Sequence, residues 1–500
     1  MNFVTKPKLW IVIYFFLIMY PTYSEDISQH VSIEKMSIIE AHIEKDLMNW
    51  QIPGLSVAII DNDKIIYRNY GFSDKKMEQM ITEHTLFELA SNSKAFTAIG
   101  LLLLNEEGKI SLNDPITKFI PWFKVKYNNE NVEINIEDCL YHKSGIPVKT
   151  IANISPDIES GAIERVVRNL VGINLDFKPG SNFSYATINY DVLGLVIKAV
   201  SGMTYEKYIK EKVLIPLGLN NTYSNYEEAI STGKVSQGYK MNLLKARLYT
   251  APYYRGNVPA GYIFSNSQDS ALWLQLQMGI IEAPEPFITI IKKSQKADLS
   301  QIDPLHHTSY ASGWFYNPDR VELLFNHIGS NPNFSSFFAF NPDKKMGVVV
   351  LANINSDITN HIGIGILDIL YNSNMLFKSS DKYTMIDKGS FLIILLCIPL
   401  ILIFLFLFRK LKESIKNKKR IILKKKFHFI KITIVLILLI ILGYITYTAP
   451  VLFFCGLDWN FINIWASALL FPAIIFLYFS LAIMIGYLTI ISSYKVYNNE

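Results

Sequence analysis

The sequence predicts an α+β domain whose antiparallel sheet draws strands from both of its ends, followed by an apolar tail of three membrane-spanning helices. Three observations carry this. Strand-like alternation flanks a mainly helical middle, from Ser91 to about Gly218, and the composition turns abruptly apolar from Phe391 onward. At 500 residues the chain also exceeds what one core usually organises.

Taken in order, residues 1–24 read as a signal peptide: lysines, an apolar run from Leu9 to Tyr20, then Pro21 and small residues. An uncleaved anchor helix is the alternative. Residues 25–387 form the exported domain. SIEKMSIIEAHIEKDLMNW has helical spacing, and LSVAIIDNDKIIYRNYG reads as two strands around a turn. At the far end, LLFNHIG and FSSFFAFNPDKKMGVVVLAN supply further strands, the last two joined around Asn341-Pro342-Asp343. Helical runs occur at AFTAIGLLLLNEEG, YDVLGLVIKAVSG and YEKYIKEKVLIPLG.

Residues 388–500 form the tail, with spans at about 391–408, 432–454 and 464–491, each long enough to cross a bilayer. Between the first two spans, Arg409 to Lys426 holds ten basic residues against one acid. The positive-inside rule places that loop in the cytoplasm and the 25–387 domain outside, as a multi-pass protein of the cell membrane. The net charge of +5 is mostly this loop, so it argues membrane lipid and not nucleic acid. The three cysteines are Cys139, Cys397 and Cys455; only the first lies in the exported domain, so no disulfide forms within it. No Cys/His metal spacing appears, and neither a metal nor another cofactor is expected.

Ser-x-x-Lys occurs six times, at Ser32, Ser73, Ser91, Ser231, Ser379 and Ser492. Only Ser91, in FELASNSKAFTAIGLLLL, opens a buried apolar helix after a short extended segment. The i, i+3 spacing puts Lys94 on the face of Ser91 one turn along, where burial and the helix dipole favour a neutral amine able to take the serine proton. The bland alternative is that Ser91 caps the helix and Lys94 is solvated. Tyr185 precedes another apolar helix in FSYATINYDVLG, where a phenol beside a lysine can carry a proton to a leaving group. In FNHIGSNPNFSSFFAF, Gly329 permits close backbone approach. The Ser330 amide then points at an oxyanion together with the Ser91 amide, and His327 serves as a wall and hydrogen-bonding residue.

Ser91-x-x-Lys94, Tyr185 and His327-x-Gly329, in this order, resemble the penicillin-recognising serine hydrolases, which include class C β-lactamases and D-alanyl-D-alanine carboxypeptidases. HKSGIP (His142 to Pro147) and PGSNFSYA (Pro179 to Ala186) add to the likeness. It implies a β-lactamase/transpeptidase-like fold and an acyl-enzyme on Ser91. Two departures bear on substrate: Tyr185-Ala186-Thr187 replaces Tyr-x-Asn, and His-x-Gly replaces Lys-Thr-Gly, altering the groups that hold a penicillin.

FELASNSKAF, RGNVPAGYI, YASGWF, NPNFSS and the tail motif GLDWNFI are similar to the prodrug-activating D-asparaginyl peptidases of the colibactin-maturation type. That resemblance implies removal of an N-acyl-D-asparagine cap from an exported, acylated peptide prodrug, with Glu88, Thr187, Asn257, His327 and Asn331 as substrate-binding residues. Asn257 stands where that family carries a histidine. An exporter is an implied partner, and a homodimer stays open. Two other readings remain: an envelope D-alanyl-D-alanine carboxypeptidase or D-alanyl esterase, and a non-catalytic sensor of wall fragments.

Overall fold

The computed structural model describes residues 32–496 apart from 301, 303–306, 321, 323, 374–378, 423–424 and 454–455. The expected signal segment, 1–24, lies outside the described residues. The first helix, α1 (Ile33–Trp50), starts where the Ser32 hydroxyl accepts from the Lys35 amide, satisfying an N–H that the first turn cannot. Strands β1 (Gly54–Asp61), β2 (Lys64–Asp74) and β3 (Gln79–Met80) follow. Helix α2 spans Ser93–Glu106, and α3 spans Asn189–Ser201.

Five later strands complete the sheet: β4 (Ser309–Tyr310), β5 (Phe315–Tyr316), β6 (Phe325–Asn331), β7 (Phe334–Asn341) and β8 (Met346–Ala352). The order is β4-β5-β6-β7-β8-β1-β2-β3, antiparallel throughout. The two chain ends meet at the centre, where Leu55 opposes Ala352 and Asp61 opposes Met346. Helix α4 (Ile358–Leu370) then closes the domain.

Both faces of the central strands are covered, so they carry nearly continuous apolar runs. Alternation still decides which core each side chain joins. Val57, Ile59, Val348 and Val350 pack with Met36, Ile39, Ile43, Ile362 and Ile366 from α1 and α4. Ala58, Ile60, Val349 and Leu351 face the larger core, with α2, α3 and the helical region. The site therefore lies on the second face, where α2 meets β6 and β7.

Two expectations change. The region from residue 107 to 188 holds only short elements: α-helices Ile136–Leu140 and Ala162–Arg168, two 3-10 turns and a hairpin of Val125–Tyr127 with Glu130–Val132, because its apolar residues do not form a continuous helical stripe. The edge strands β4 and β5, at two residues each, are too short to show a period, and no alternation announces them.

Among the described residues, three tail helices are long and apolar enough to cross a membrane: Lys382–Lys416, Ile432–Leu452 within Lys425–Phe453, and Leu470–Ile491. Protein covers little of their surface, at most 11% of the apolar window of any of them. The expected third span starts later than residue 464, because a short helix, Trp459–Trp465, ends in extended backbone at Ala466 first.

The tail is fastened to the domain by polar contacts. Asp387 accepts from the Leu244 amide at 2.6 Å and from the Ser467 hydroxyl. Buried Lys240 donates to the carbonyls of Asn463 and Ile464 at 2.8 and 2.9 Å, where a helix C-terminus offers orphan acceptors. Asp381, which caps the first apolar helix through the Thr384 amide, also accepts from the Ser356 hydroxyl and the Asp357 amide.

Candidate active site

Ser91 sits in the tight turn Ala90–Asn92 that leads into α2. Ala90 has φ 48°, a left-handed conformation that costs a non-glycine residue energy and is kept only where surroundings enforce it. Two bonds to β7 do so: Ser336 Oγ donates to the Leu89 carbonyl at 2.6 Å and accepts from Asn92 Nδ2 at 2.8 Å. The turn is thereby locked with Ser91 half-buried at the domain's centre.

Lys94, one helical turn on, is fully buried. Its Nζ lies 3.0 Å from Ser91 Oγ and donates to the Ala260 carbonyl at 2.7 Å. Ala260 lies in the short helix Val258–Gly261, which is held against α2 by the Thr97 hydroxyl on the Pro259 carbonyl and, just beyond it, by the Ile263 amide on Ser93 Oγ. Burial pulls the Lys94 amine down to about 7, and the carboxyl of Asp191 opposes that only in part. Asp191 is itself buried on α3 and held well above the usual carboxylate range by desolvation. With its amide nitrogen turned toward that carboxyl, Asn257 donates to both Asp191 oxygens at 3.0 and 2.9 Å.

Tyr185 closes the group. Its hydroxyl hydrogen-bonds Ser91, its ring centre lies 5.2 Å from Lys94 Nζ, and burial raises its pKa well above the ordinary phenol value. The phenol is therefore protonated at neutral pH and can pass on a proton it does not surrender for long. An aromatic cage fixes the ring: His142 at 4.3 Å and Phe315 at 5.9 Å between ring centres, with Tyr310 edge-on at 6.1 Å. His142 is anchored by Asn189 Nδ2, which Ser144 holds in turn.

His327 completes the wall. Nδ1 lies 2.9 Å from the Ile328 carbonyl, leaving Nε2 to accept from the hydroxyls of Tyr310 at 3.3 Å and Tyr185 at 3.5 Å. Burial, followed by the Lys94 charge, lowers its pKa to about 3, so the ring is neutral. Strand β6 approaches the turn that carries Ser91 closely at Gly329. A Cβ there would meet Ser336 Oγ at 2.1 Å, the Leu89 carbonyl at 2.4 Å and Ala90 Cβ at 3.0 Å. Ser330 follows Gly329 on a stretch of β6 that β5 leaves uncovered, since β5 pairs only with Phe325 and Asn326.

The remaining predicted binding residues divide. Asn331 Nδ2 donates to Glu88 Oε2 at 2.6 Å and to the Gly261 carbonyl at 2.9 Å. Burial lifts the Glu88 carboxyl to about 7, with the Asn331 bond working against it. Thr187 is half-buried just before α3, and its hydroxyl has no hydrogen-bond partner among the described residues. Asn257 is spent on Asp191 beneath Lys94.

A serine hydroxyl, a neutral-prone lysine and a protonated tyrosine in mutual contact can support acyl transfer without a metal ligand set. The model of the family named Beta-lactamase matches residues 39–370. This chain belongs to that family, whose members are generally serine hydrolases. Protein flp of Staphylococcus aureus (strain MRSA252) is 31% identical over 436 residues, covering 85% of each chain, so that likeness extends into the tail. A beta-lactamase of Pseudomonas fluorescens is 28% identical over 348 residues, 64% of this chain and 93% of its own. Among solved structures, the octameric penicillin-binding protein homologue from Pyrococcus abyssi superposes with a TM-score of 0.58 at 26% identity, over 68% of this chain and 78% of that one.

Sequence reasoning missed Asp191, Tyr310 and the Ala260 carbonyl. An acid inside the apolar run YDVLGLVI was the one available signal, since a carboxyl is rarely buried without a partner. Nothing local marks Tyr310 or Ala260.

Proposed function

We propose that this chain is a membrane-anchored serine peptidase, its domain facing away from the cytoplasm, that releases an N-acyl-D-asparagine cap from an exported peptide. Ser91 is the nucleophile and neutral Lys94 takes its proton. The Ser91 and Ser330 amides hold the oxyanion, and Tyr185 returns the proton to the leaving amine as the acyl-enzyme forms. Water then attacks the ester carbonyl, and the same groups restore Ser91 as acyl-D-asparagine departs. Lys94 is the better base because burial raises Tyr185 and lowers Lys94.

The observation that carries the substrate reading is the Glu88–Asn331 pair at 2.6 Å. Asn331 commits its N–H donors internally, so its Oδ1 is the atom left to accept from a primary carboxamide. Thr187 can donate to that amide's oxygen. A pocket of such groups recognises a side-chain amide and penalises an apolar one, which leaves buried polar atoms unmatched.

The test is mass spectrometry of an N-myristoyl-D-Asn peptide incubated with cells carrying the wild-type chain or its Ser91→Ala form. Serine-dependent release of acyl-D-Asn supports the reading. Cleavage of D-Ala-D-Ala peptides alone would assign an envelope carboxypeptidase, and no turnover of either, with covalent capture of penicillin, a sensor.

A further inference from the structure

Helices α1 and α4 pack against each other on the face of the sheet opposite Ser91, and their contact holds a group of side chains the catalytic reading does not use. His42 and Asp46 stand four residues apart on α1, hence on one face, and His361 faces them from α4. One ligand atom from each lies within 4.8 Å of the others. Asp46 is 2% exposed, and His361 Nδ1 sits 2.7 Å from its Oδ2. The imidazole rings of His42 and His361 are 5.4 Å apart between centres.

Two details show that the backbone is shaped around His42. Gly365 lies against the ring: a Cβ there would meet His42 Nε2 at 2.1 Å. That Nε2 is sealed from solvent and has no hydrogen-bond partner among the described residues. An interior imidazole nitrogen left unsatisfied costs free energy, and a metal–nitrogen bond or a modest ring rotation toward one removes that cost.

We propose that His42, Asp46 and His361 bind one divalent transition-metal ion, with zinc the best match, as a structural clasp between the first and last helices of the exported domain. Two imidazoles and one carboxylate are a zinc-type donor set, whereas calcium and magnesium prefer oxygen alone. Tetrahedral ligands around zinc stand roughly 3.3 Å apart, so the widest pair closes by about 1.5 Å at most, within the reach of side-chain torsions. Both histidines are partly exposed, leaving a side open for a water as fourth ligand. The pairing joins residues far apart in sequence, so no local spacing reveals it.

The test uses the full-length protein in detergent, stripped with chelator and titrated with zinc chloride by calorimetry, beside His42→Gln. That variant keeps the Asp46–His361 pair, so it separates metal binding from a plain ion pair. The expected result is one zinc per chain with affinity reduced at least tenfold in His42→Gln. Zinc should also raise the melting temperature by about 3 °C or more in the wild type and not in the variant. Ser91-dependent turnover should be unchanged in both. Absence of stoichiometric zinc, equal binding by His42→Gln, or an equal response to calcium would overturn the proposal.

Discussion

The hydroxyls of Ser330 and Tyr383 lie 3.4 Å apart, joining the strand beside the nucleophile to the first turn of the first apolar helix. Asn355 Oδ1, at 2.8 Å, accepts from the same Ser330 hydroxyl. The tail thus touches the residue whose amide we assign to the oxyanion. Tyr383→Phe should lower kcat about fivefold, the worth of one hydrogen bond of about 1 kcal/mol, with KM and the pH profile unchanged. An unaltered kcat would make the helix an anchor only.

The base assignment fixes a pH profile. Only neutral Lys94 accepts the Ser91 proton, so kcat/KM should rise with pH through about 7 and level off above it. His327 titrates near 3 and cannot cause that inflection, but Glu88 shares the window near 7. The inflection should therefore persist in both His327→Asn and Glu88→Gln. Its loss in Glu88→Gln would move the titration from lysine to carboxyl.

Glu88 also links stability to pH. Its folded pKa is raised from 4.5 to about 7, so its contribution is full below 4.5 and is lost as pH rises to about 7. Relative to Glu88→Gln, the wild type should lose about 3 kcal/mol across that range, using 1.36 kcal/mol per pKa unit. His327 contributes the opposite slope in both proteins and cancels in the difference. Denaturant melts at pH 4.5 and 7 measure it; a constant difference would contradict the buried protonated carboxyl.

Gly329→Ala places a methyl against Ser336 Oγ and the Leu89 carbonyl. Strand β6 must move outward, costing about 1–3 kcal/mol of stability and carrying the Ser330 amide away from the oxyanion. A displacement near 1 Å should reduce kcat at least a hundredfold. Turnover of an N-acyl-D-Asn peptide and a chemical melt report the two effects separately.

Asn331→Ala should cut cleavage of acyl-D-Asn substrates about a hundredfold while leaving acyl-D-Ala substrates nearly unaffected. Equal loss on both would make Asn331 a support for Glu88 and not a reader of carboxamide. Paired kcat/KM measurements distinguish these.

The sequence made the sheet legible wherever strands were long enough to show a period, as in LSVAIID and MGVVVLA, and hid it at Ser309–Tyr310 and Phe315–Tyr316. Ser91 and Lys94 were visible because one helical turn brings them together. Asp191 and Ala260 were not, because Asp191 reaches Lys94, and Ala260 meets its amine, only through the packing of α2 on α3 and on the segment around Pro259. Asn257, expected among the substrate contacts from the resemblance, also turns its amide to Asp191, a contact no local pattern announces.

The pairing of Leu55 with Ala352 has a consequence in time. Strand β1 is made early and cannot take its central place until β8 exists, so the nucleophile turn, which leans on β7 through Ser336, stays unassembled for nearly the whole synthesis of the domain. Such long-range pairing is slow to form. On the proposed reading, Ser91 can act only once the last strand is in register, so completion of the sheet sets the moment at which acylation becomes possible.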